Sequence, residues 1–193
     1  MNIADVFSNF PTLETERLIL RKLRLEDAKD IFEYASDPEV SKYVTWETHK
    51  SIEDSINFIK SSLANYNKKE VIDWGIVYKE NNKLIGTCGY FLWALEQHSR
   101  AEIGYVIGKK YWGKGIMTEA VKEAIKFGFE KMNLNRIQAM CLPDNIGSYR
   151  VMEKVGMKYE GVIREYIYIK GKFQDLKLYS ILRREYFEQK ENK

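Results

Sequence analysis

Between Arg17 and Leu23 the chain sets Leu18 and Leu20 against Arg17 and Arg21, the alternation of a half-buried strand. From Glu26 the period lengthens: Ala28, Ile31, Phe32 and Ala35 recur at helical spacing, and Asp37-Pro38 ends that helix. After an irregular stretch from Val40 to Lys50, Ser51 opens a second helix. Asp54 stands at its capping-box position, and Ile52, Ile56, Ile59 and Leu63 form its inner face. Asp73 to Tyr78 and Leu84 to Tyr90 read as strands around Glu80-Asn81-Asn82-Lys83. Ala101 to Ile107 returns after the polar loop Glu96 to Arg100, which completes an antiparallel meander. Ala120, Val121, Ala124, Ile125, Phe127 and Gly128 predict a helix reaching about Met132, and Arg136 to Leu142 the next strand. A single helical crossover makes the strands of Tyr105 and Ala139 parallel. Ser148 to Val155 reads as a short helix stopped by Gly156. Strands at Lys158 to Ile163 and Tyr166 to Ile169, the turn Lys170-Gly171-Lys172 and a strand from Asp175 to Leu182 follow. The charged stretch Glu185 to Lys193 reads as a fraying end. The pattern predicts a mixed α/β sheet with helices on both faces, one domain over residues 1–193 with its core at about 12–184.

The most informative stretch is Glu102 to Glu119, a buried strand running into a glycine turn and a helix start. Gly108, Gly113 and Gly115 let the backbone take φ > 0 or approach a ligand closely, and Lys109, Lys110 and Lys114 flank them. Unpaired N–H groups at a helix N-terminus favour an anion, so the stretch is a candidate phosphate site. Two familiar phosphate motifs are excluded. Gly108 to Lys114 spells G-x-x-x-x-G-K, but Gly115 replaces the hydroxyl residue that holds magnesium in nucleotide triphosphatases. Gly113, Gly115 and Thr118 lack the third glycine of a dinucleotide fingerprint.

Composition narrows the classes. The chain has 193 residues, 45% hydrophobic and 31% charged, with a net charge of +3. That balance argues against a nucleic-acid partner, which calls for a clustered basic face. Cys88 and Cys141 form no C-x-x-C pair, so neither a disulfide framework nor a metal site is expected, and a cytoplasmic setting suits them. Met1 to Pro11 lacks the features of a secretory signal. The longest apolar run, Cys88 to Leu95, is far short of the ~20 residues that span a bilayer, so no membrane partner is expected.

Two blocks carry a resemblance. Tyr111-Trp-Gly-Lys-Gly-x-x-Thr-Glu119 and, some thirty residues on, Asn145-x-x-Ser148-x-Arg150-Val-x-Glu-Lys154-x-Gly156-Met resemble the signatures of the GNAT acetyltransferase superfamily. The similarity is greatest to its RimJ/RimL branch, which acetylates N-terminal amines of ribosomal proteins. It extends from Glu14-Thr-Glu-Arg-Leu18 to Lys170-Gly-x-x-x-Asp175-x-x-x-Tyr-Ser180. The resemblance implies a GNAT fold, in which two parallel strands splay in a V, here Ala101 to Ile107 and Arg136 to Leu142. It implies acetyl-CoA as co-substrate. The pantetheine arm would pair with the backbone of Tyr105, Val106 and Ile107. The pyrophosphate would sit on the amides of Trp112, Gly113, Lys114, Gly115, Ile116, Met117 and Thr118, beside Lys110, where the family usually has Gln or Arg. Asn145, Ser148 and Arg150 of the second block would also meet the cofactor.

The chemistry implied is attack of a neutral amine on a thioester, which needs a proton acceptor and donors for the oxyanion and thiolate. Glu102 stands where several family members keep a general-base glutamate. It could equally be a structural carboxylate that pairs with Arg100. His98 is a weaker candidate. Met152 occupies the position of the tyrosine acid of other branches, which leaves Ser148 as thiolate proton donor or as the N-cap of its helix. Tyr43, Trp46, His49 and the turn before Phe173 would line the acceptor cleft, or the aromatics could simply pack on the core. That cleft segment carries only Glu47 among acids. The expected acceptor is a protein or peptide N-terminal α-amine. The alternatives are a small amine acceptor such as a polyamine, amino acid or drug, and a non-catalytic acetyl-CoA-binding module. Monomer and homodimer are equally compatible with the sequence.

Overall fold

A computed structural model describes residues 10–68, 71–94 and 99–191, with backbone alone at 92–94. The order is β1 (Leu13–Glu14), β2 (Leu18–Lys22), α1 (Ala28–Ala35), α2 (Pro38–Ser41), α3 (Ile52–Lys68), β3 (Ile72–Tyr78), β4 (Lys83–Ala94) and β5 (Arg100–Ile107). There follow α4 (Ile116–Glu130), β6 (Arg136–Cys141), α5 (Ile146–Lys154), β7 (Lys158–Ile169), β8 (Lys172–Leu182) and α6 (Arg183–Glu191). Eight strands form one sheet in the order β1-β2-β3-β4-β5-β6-β8-β7. Every adjacent pair is antiparallel except β5 and β6, the parallel pair that the crossover predicts.

Period-two alternation decides which side each strand residue serves. Trp74, Ile76, Cys88, Tyr90, Ile103 and Ile107 face α4 and α5 and join Ala120, Val121, Ala124 and Phe127 in the larger core. Val77, Leu84 and the half-buried Val106 face the other way, onto Ile31, Ala35 and Ile59 of α1 and α3. Helices therefore cover both faces. Among the described residues, no helix is long and apolar enough to cross a membrane.

Several local expectations are corrected. In α3 the Asp54 carboxylate accepts from the N–H groups of Lys50 and Ser51 at 2.8 and 2.9 Å, as a capping box requires. Ile59 is buried and Ile56 and Leu63 pack half-buried beside it, as read, but the buried stripe also takes in Ser55, Ser62 and Tyr66, and Ile52 is exposed at the helix start. Pro38 ends one helix and opens the next, because its missing N–H costs nothing at a first helical position and Asp37 accepts from Glu39 N–H at 2.9 Å. The two strands read between Lys158 and Ile169 are one bent strand. Between the pairs Ile163 with Leu176 and Ile167 with Gln174, β7 carries extra residues around Glu165, which has φ 48°. The end taken for a fraying tail is helical to Glu191. Its residues are tied down by Tyr186 donating to Glu130 (2.7 Å), by Lys190 on Glu130 (2.8 Å) and by Arg183 on the Phe129 carbonyl.

Candidate functional site

The site begins where β5 and β6 part. They pair only at Arg100–Arg136, Ala101–Ile137 and Glu102–Gln138, and beyond those residues the strands diverge. On that side the backbone of Ile103 to Ile107 has no strand partner, while β4 holds the other edge in register through Gly86–Ile107. At the open end of β5 the chain turns through Lys109–Tyr111 and enters α4. Gly113 and Gly115 lie in the left-handed region, with φ 73° and 74°, so they shape a loop that other residues rarely adopt. Gly115 is the N-cap of α4 with no side-chain cap, and a β-carbon on Gly113 would meet open space. The first-turn amides are thus free to receive an anion. Ile116 and Met117 bury their side chains in the core, which leaves only their amides for a ligand. The Trp112 indole N–H donates to the Ile107 carbonyl at 2.9 Å and ties the turn back to β5.

The loop is braced from the other end of the chain. Glu119 accepts from the Thr15 hydroxyl (2.6 Å), from Arg17 N–H (3.0 Å) and from Arg17 Nε (2.7 Å). Burial alone would raise its carboxyl, but these donors outweigh it and hold the group below the usual range. Arg17 Nη1 also donates to the Lys114 carbonyl at 3.1 Å, inside the loop. A hydrogen bond to a charged group contributes about 1.5–3 kcal/mol, so with part of that transmitted to the loop Arg17→Ala is expected to weaken acetyl-CoA binding roughly 5-fold. Titration calorimetry checks this, and unchanged affinity would mean that the loop holds its own shape. Lys110 points elsewhere, its ammonium engaged by Glu33. Arg150 is exposed and paired with Glu153 at 2.9 Å. Thr118 is half-buried in the first turn of α4.

Across the V, α5 presents Ser148. Its N–H donates to Asn145 Oδ1 at 3.1 Å, so Asn145 is the N-cap and Ser148 lies inside the first turn. The reading of Ser148 as the cap is thereby corrected, and its hydroxyl is free of capping duty. That hydroxyl donates to Tyr105 Oη at 3.2 Å, and Tyr105 Oη donates to the Ser148 carbonyl at 2.9 Å. The tyrosine expected to contribute only backbone therefore also links β5 to α5 through its side chain. Burial pushes the Tyr105 hydroxyl well above its usual range, which keeps it a neutral donor.

Glu102 stands at the apex of the V, buried. Its Oε2 accepts from Gln138 Nε2 at 2.9 Å, and Arg100 is not its partner. Burial raises its carboxyl and the Gln138 bond only partly opposes this. Behind it Arg136 binds Glu160 at 2.7 and 2.8 Å and Ser180 at 3.0 Å. His98 lies outside the described residues.

A cavity of about 300 Å³ occupies the α1/α3 side of the splayed strands. Tyr43 and Trp46 form one wall, Met140, Asn145 and Ser148 another, and Asp73, Thr87, Gly89, Gly104 and Tyr105 the floor. Glu102 is not among the lining residues. His49 sits behind Trp46, ring centroids 5.3 Å apart, with Nδ1 at 2.9 Å from Ser55 Oγ, so it supports the wall without lining it. Phe173 is 62% exposed against Tyr168 and also stays outside the cavity. The turn before it does approach, because Lys170 donates to the Ser41 carbonyl. Loop acids alone understated the charge of the cleft, since β3 adds Asp73 to the floor. The signal available in the sequence was a carboxylate among glycine-rich strands, with Gly75 on its own strand and Gly86, Gly89 and Gly104 on the next two.

Comparison with known proteins agrees with this geometry. The chain is 41% identical over 174 residues to the uncharacterized N-acetyltransferase YoaA of Bacillus subtilis, covering 90% of this chain and 98% of the relative. It is 26% identical over 179 residues to the [ribosomal protein uS5]-alanine N-acetyltransferase of Escherichia coli, covering 87% and 90%. The crystal structure of a GNAT-family acetyltransferase from Bacillus anthracis superposes with a TM-score of 0.80 at 34% identity, covering 90% of this chain and 99% of that one. The family model described as acetyltransferase (GNAT) domain matches residues 17–158, which hold the V, the glycine loop and the Tyr105–Ser148 pair. This chain belongs to the GNAT acetyltransferase family, enzymes that use acetyl-CoA.

Proposed function

We propose that the protein acetylates the N-terminal α-amine of a protein, a ribosomal protein being the first candidate. The observation that carries this reading is the floor of the cavity: among the described lining residues Asp73 is the one acid. A single carboxylate suits an acceptor with one ammonium, whereas a polyamine calls for several. The aromatic wall of Tyr43 and Trp46 offers apolar surface for the first residues of a peptide. The relative from Escherichia coli, by its name, modifies an alanine of ribosomal protein uS5, which supports the same class of acceptor.

The co-substrate supplies the acetyl group as a thioester. On this reading the open edge of β5 at Tyr105, Val106 and Ile107 holds its arm and the amides from Gly113 to Thr118 hold its pyrophosphate, the Trp112 N–H being already donated to the Lys109 carbonyl at 3.1 Å, with Asn145 at the mouth of the cavity. Ser148, its oxygen held 3.2 Å from Tyr105 Oη, turns its hydroxyl hydrogen from the tyrosine to the departing sulfur. A serine hydroxyl is a weak acid, but a thiol of pKa ~8.5 is already a good leaving group. A buried carboxylate completes the set. The two cysteines, both free and buried, accord with a reducing cytoplasm. Release of free thiol from acetyl-CoA is expected with short peptides bearing an unblocked Ser, Ala or Thr N-terminus, and at far lower rates with spermidine or an N-terminally blocked peptide. Equal or faster turnover of spermidine would move the acceptor to the small amines.

A further inference from the structure

Asp73, Gly89 and Gly104 stand side by side on β3, β4 and β5, joined by the register pairs Asp73–Gly89 and Gly89–Gly104. Neither glycine raises a side chain, so beside the Asp73 carboxyl the row leaves a trough in the cavity floor over Gly89. At a strand spacing of ~4.8 Å, the Asp73 and Gly104 backbones lie about 10 Å apart. A bulge in β4 between Tyr90 and Leu92 swings Phe91 over the β5 end, where a β-carbon on Gly104 would meet the Phe91 ring at 2.5 Å. The Phe91 ring packs directly on Gly104, so the trough runs from the Asp73 carboxyl over Gly89 and ends at that ring.

We propose that Asp73 takes the proton from the acceptor's ammonium along this trough, while Glu102 stays bound to Gln138 at the apex of the V. The inference rests on the α-amine reading above. The surroundings support it. The groups facing Asp73 are the Thr87 hydroxyl from β4, Tyr66 from α3, whose hydroxyl donates to the Asp73 carbonyl, and Tyr34 from α1. Cys88 lies on the neighbouring strand, and burial holds it and both tyrosines neutral. Among the described residues no salt bridge joins Asp73, so no cation holds its carboxyl acidic. Burial therefore pushes it up to about 7, with Thr87 partly opposing. A base at about 7 lies within ~1 unit of an α-ammonium at ~7.7–8.0, and more than 3 units below a lysine ammonium at ~10.4.

The step balances as follows. One proton passes from the ammonium to Asp73, and the nitrogen lone pair forms the N–C bond at the thioester carbonyl. The C–S bond breaks, a second proton moves from nitrogen through Ser148 to sulfur, and Asp73 returns its proton to water. The products are the amide, the thiol and one proton.

The test is the pH profile of kcat/KM for an unblocked peptide in wild type, Asp73→Asn and Asp73→Glu, with carboxyl ¹³C titration of the wild-type protein. Asp73→Asn is expected to lose ~100-fold at pH 8, within the range of general-base effects, and to shift the rising limb from near 7 to the peptide amine's own ~7.7–8.0. Asp73→Glu, matched to wild type in thermal unfolding, restores part of both, and the titration shows one aspartate near 7. A limb still near 7 in Asp73→Asn, or loss of that limb in Glu102→Gln, would overturn the assignment. The position of the acetyl group on the wild-type product tests the α-amine reading separately, because it does not depend on which carboxylate is the base.

Discussion

Gly115→Val is expected to weaken acetyl-CoA binding by at least 10-fold while the protein still folds. Gly115 has φ 74°, where a β-branched residue is strained by about 1–2 kcal/mol, and the nearest atom to a β-carbon there is Arg17 Nη2 at 3.8 Å. There is room for the side chain but not for the backbone it prefers. The loop will therefore relax toward φ < 0, turning its amides away from the anion and disturbing the Arg17 bond to Lys114. Since 1.4 kcal/mol is a factor of ten, the strain alone accounts for the effect once the bound loop must be restored. Gly113→Val, with φ 73° and open space around it, is expected to act the same way with less effect on Arg17. Calorimetric affinities equal to wild type in both variants would contradict the assignment of this loop to the cofactor.

Ser148→Ala is expected to lower kcat by ~10–100-fold, at the modest end for acid catalysis because the leaving thiol is acidic. Capping belongs to Asn145, and the Ser148 N–H that it receives survives the substitution, so the melting temperature should hardly move. Asn145→Ala, by contrast, should cost ~1 kcal/mol of stability as a lost N-cap. Tyr105→Phe removes the partner that orients Ser148 and is expected to lose part of the same rate, with little added loss in the double variant. Full additivity of the two, or a Ser148→Ala loss explained by unfolding, would exclude the relay.

Most elements of this fold were legible because their strands and helices keep a clean period. The parallel step from β5 to β6 followed from one helical crossover. What escaped depends on distance along the chain. Nothing near Glu119 announces that Thr15 and Arg17 will bind it, about a hundred residues away. The end of the chain reads as polar because much of what α6 turns inward is itself polar: Arg183 reaches the Phe129 carbonyl and Glu185 accepts from Leu182 N–H, beside Tyr186 packed on Phe129. The aromatics of the cleft loop divide by which neighbour claims them: Tyr43 and Trp46 line the cavity, while Ser55 claims His49. In the sequence Asp73 is only the first residue of a strand. Only the register with Gly89 and Gly104 puts it at the head of a trough.

Amine ionisation separates the possible acceptors most sharply. At pH 7 an α-amine of pKa ~7.7–8.0 is neutral about once in ten molecules, and a lysine side chain of pKa ~10.4 about once in 10³. Freeing the lysine amine costs roughly 3–4 kcal/mol more, at 1.36 kcal/mol per unit. The decisive measurement is mass-spectrometric mapping of acetate on one short peptide carrying both an unblocked N-terminal serine and an internal lysine. Acetate on the α-amine is the predicted result; acetate mainly on the lysine side chain would contradict it.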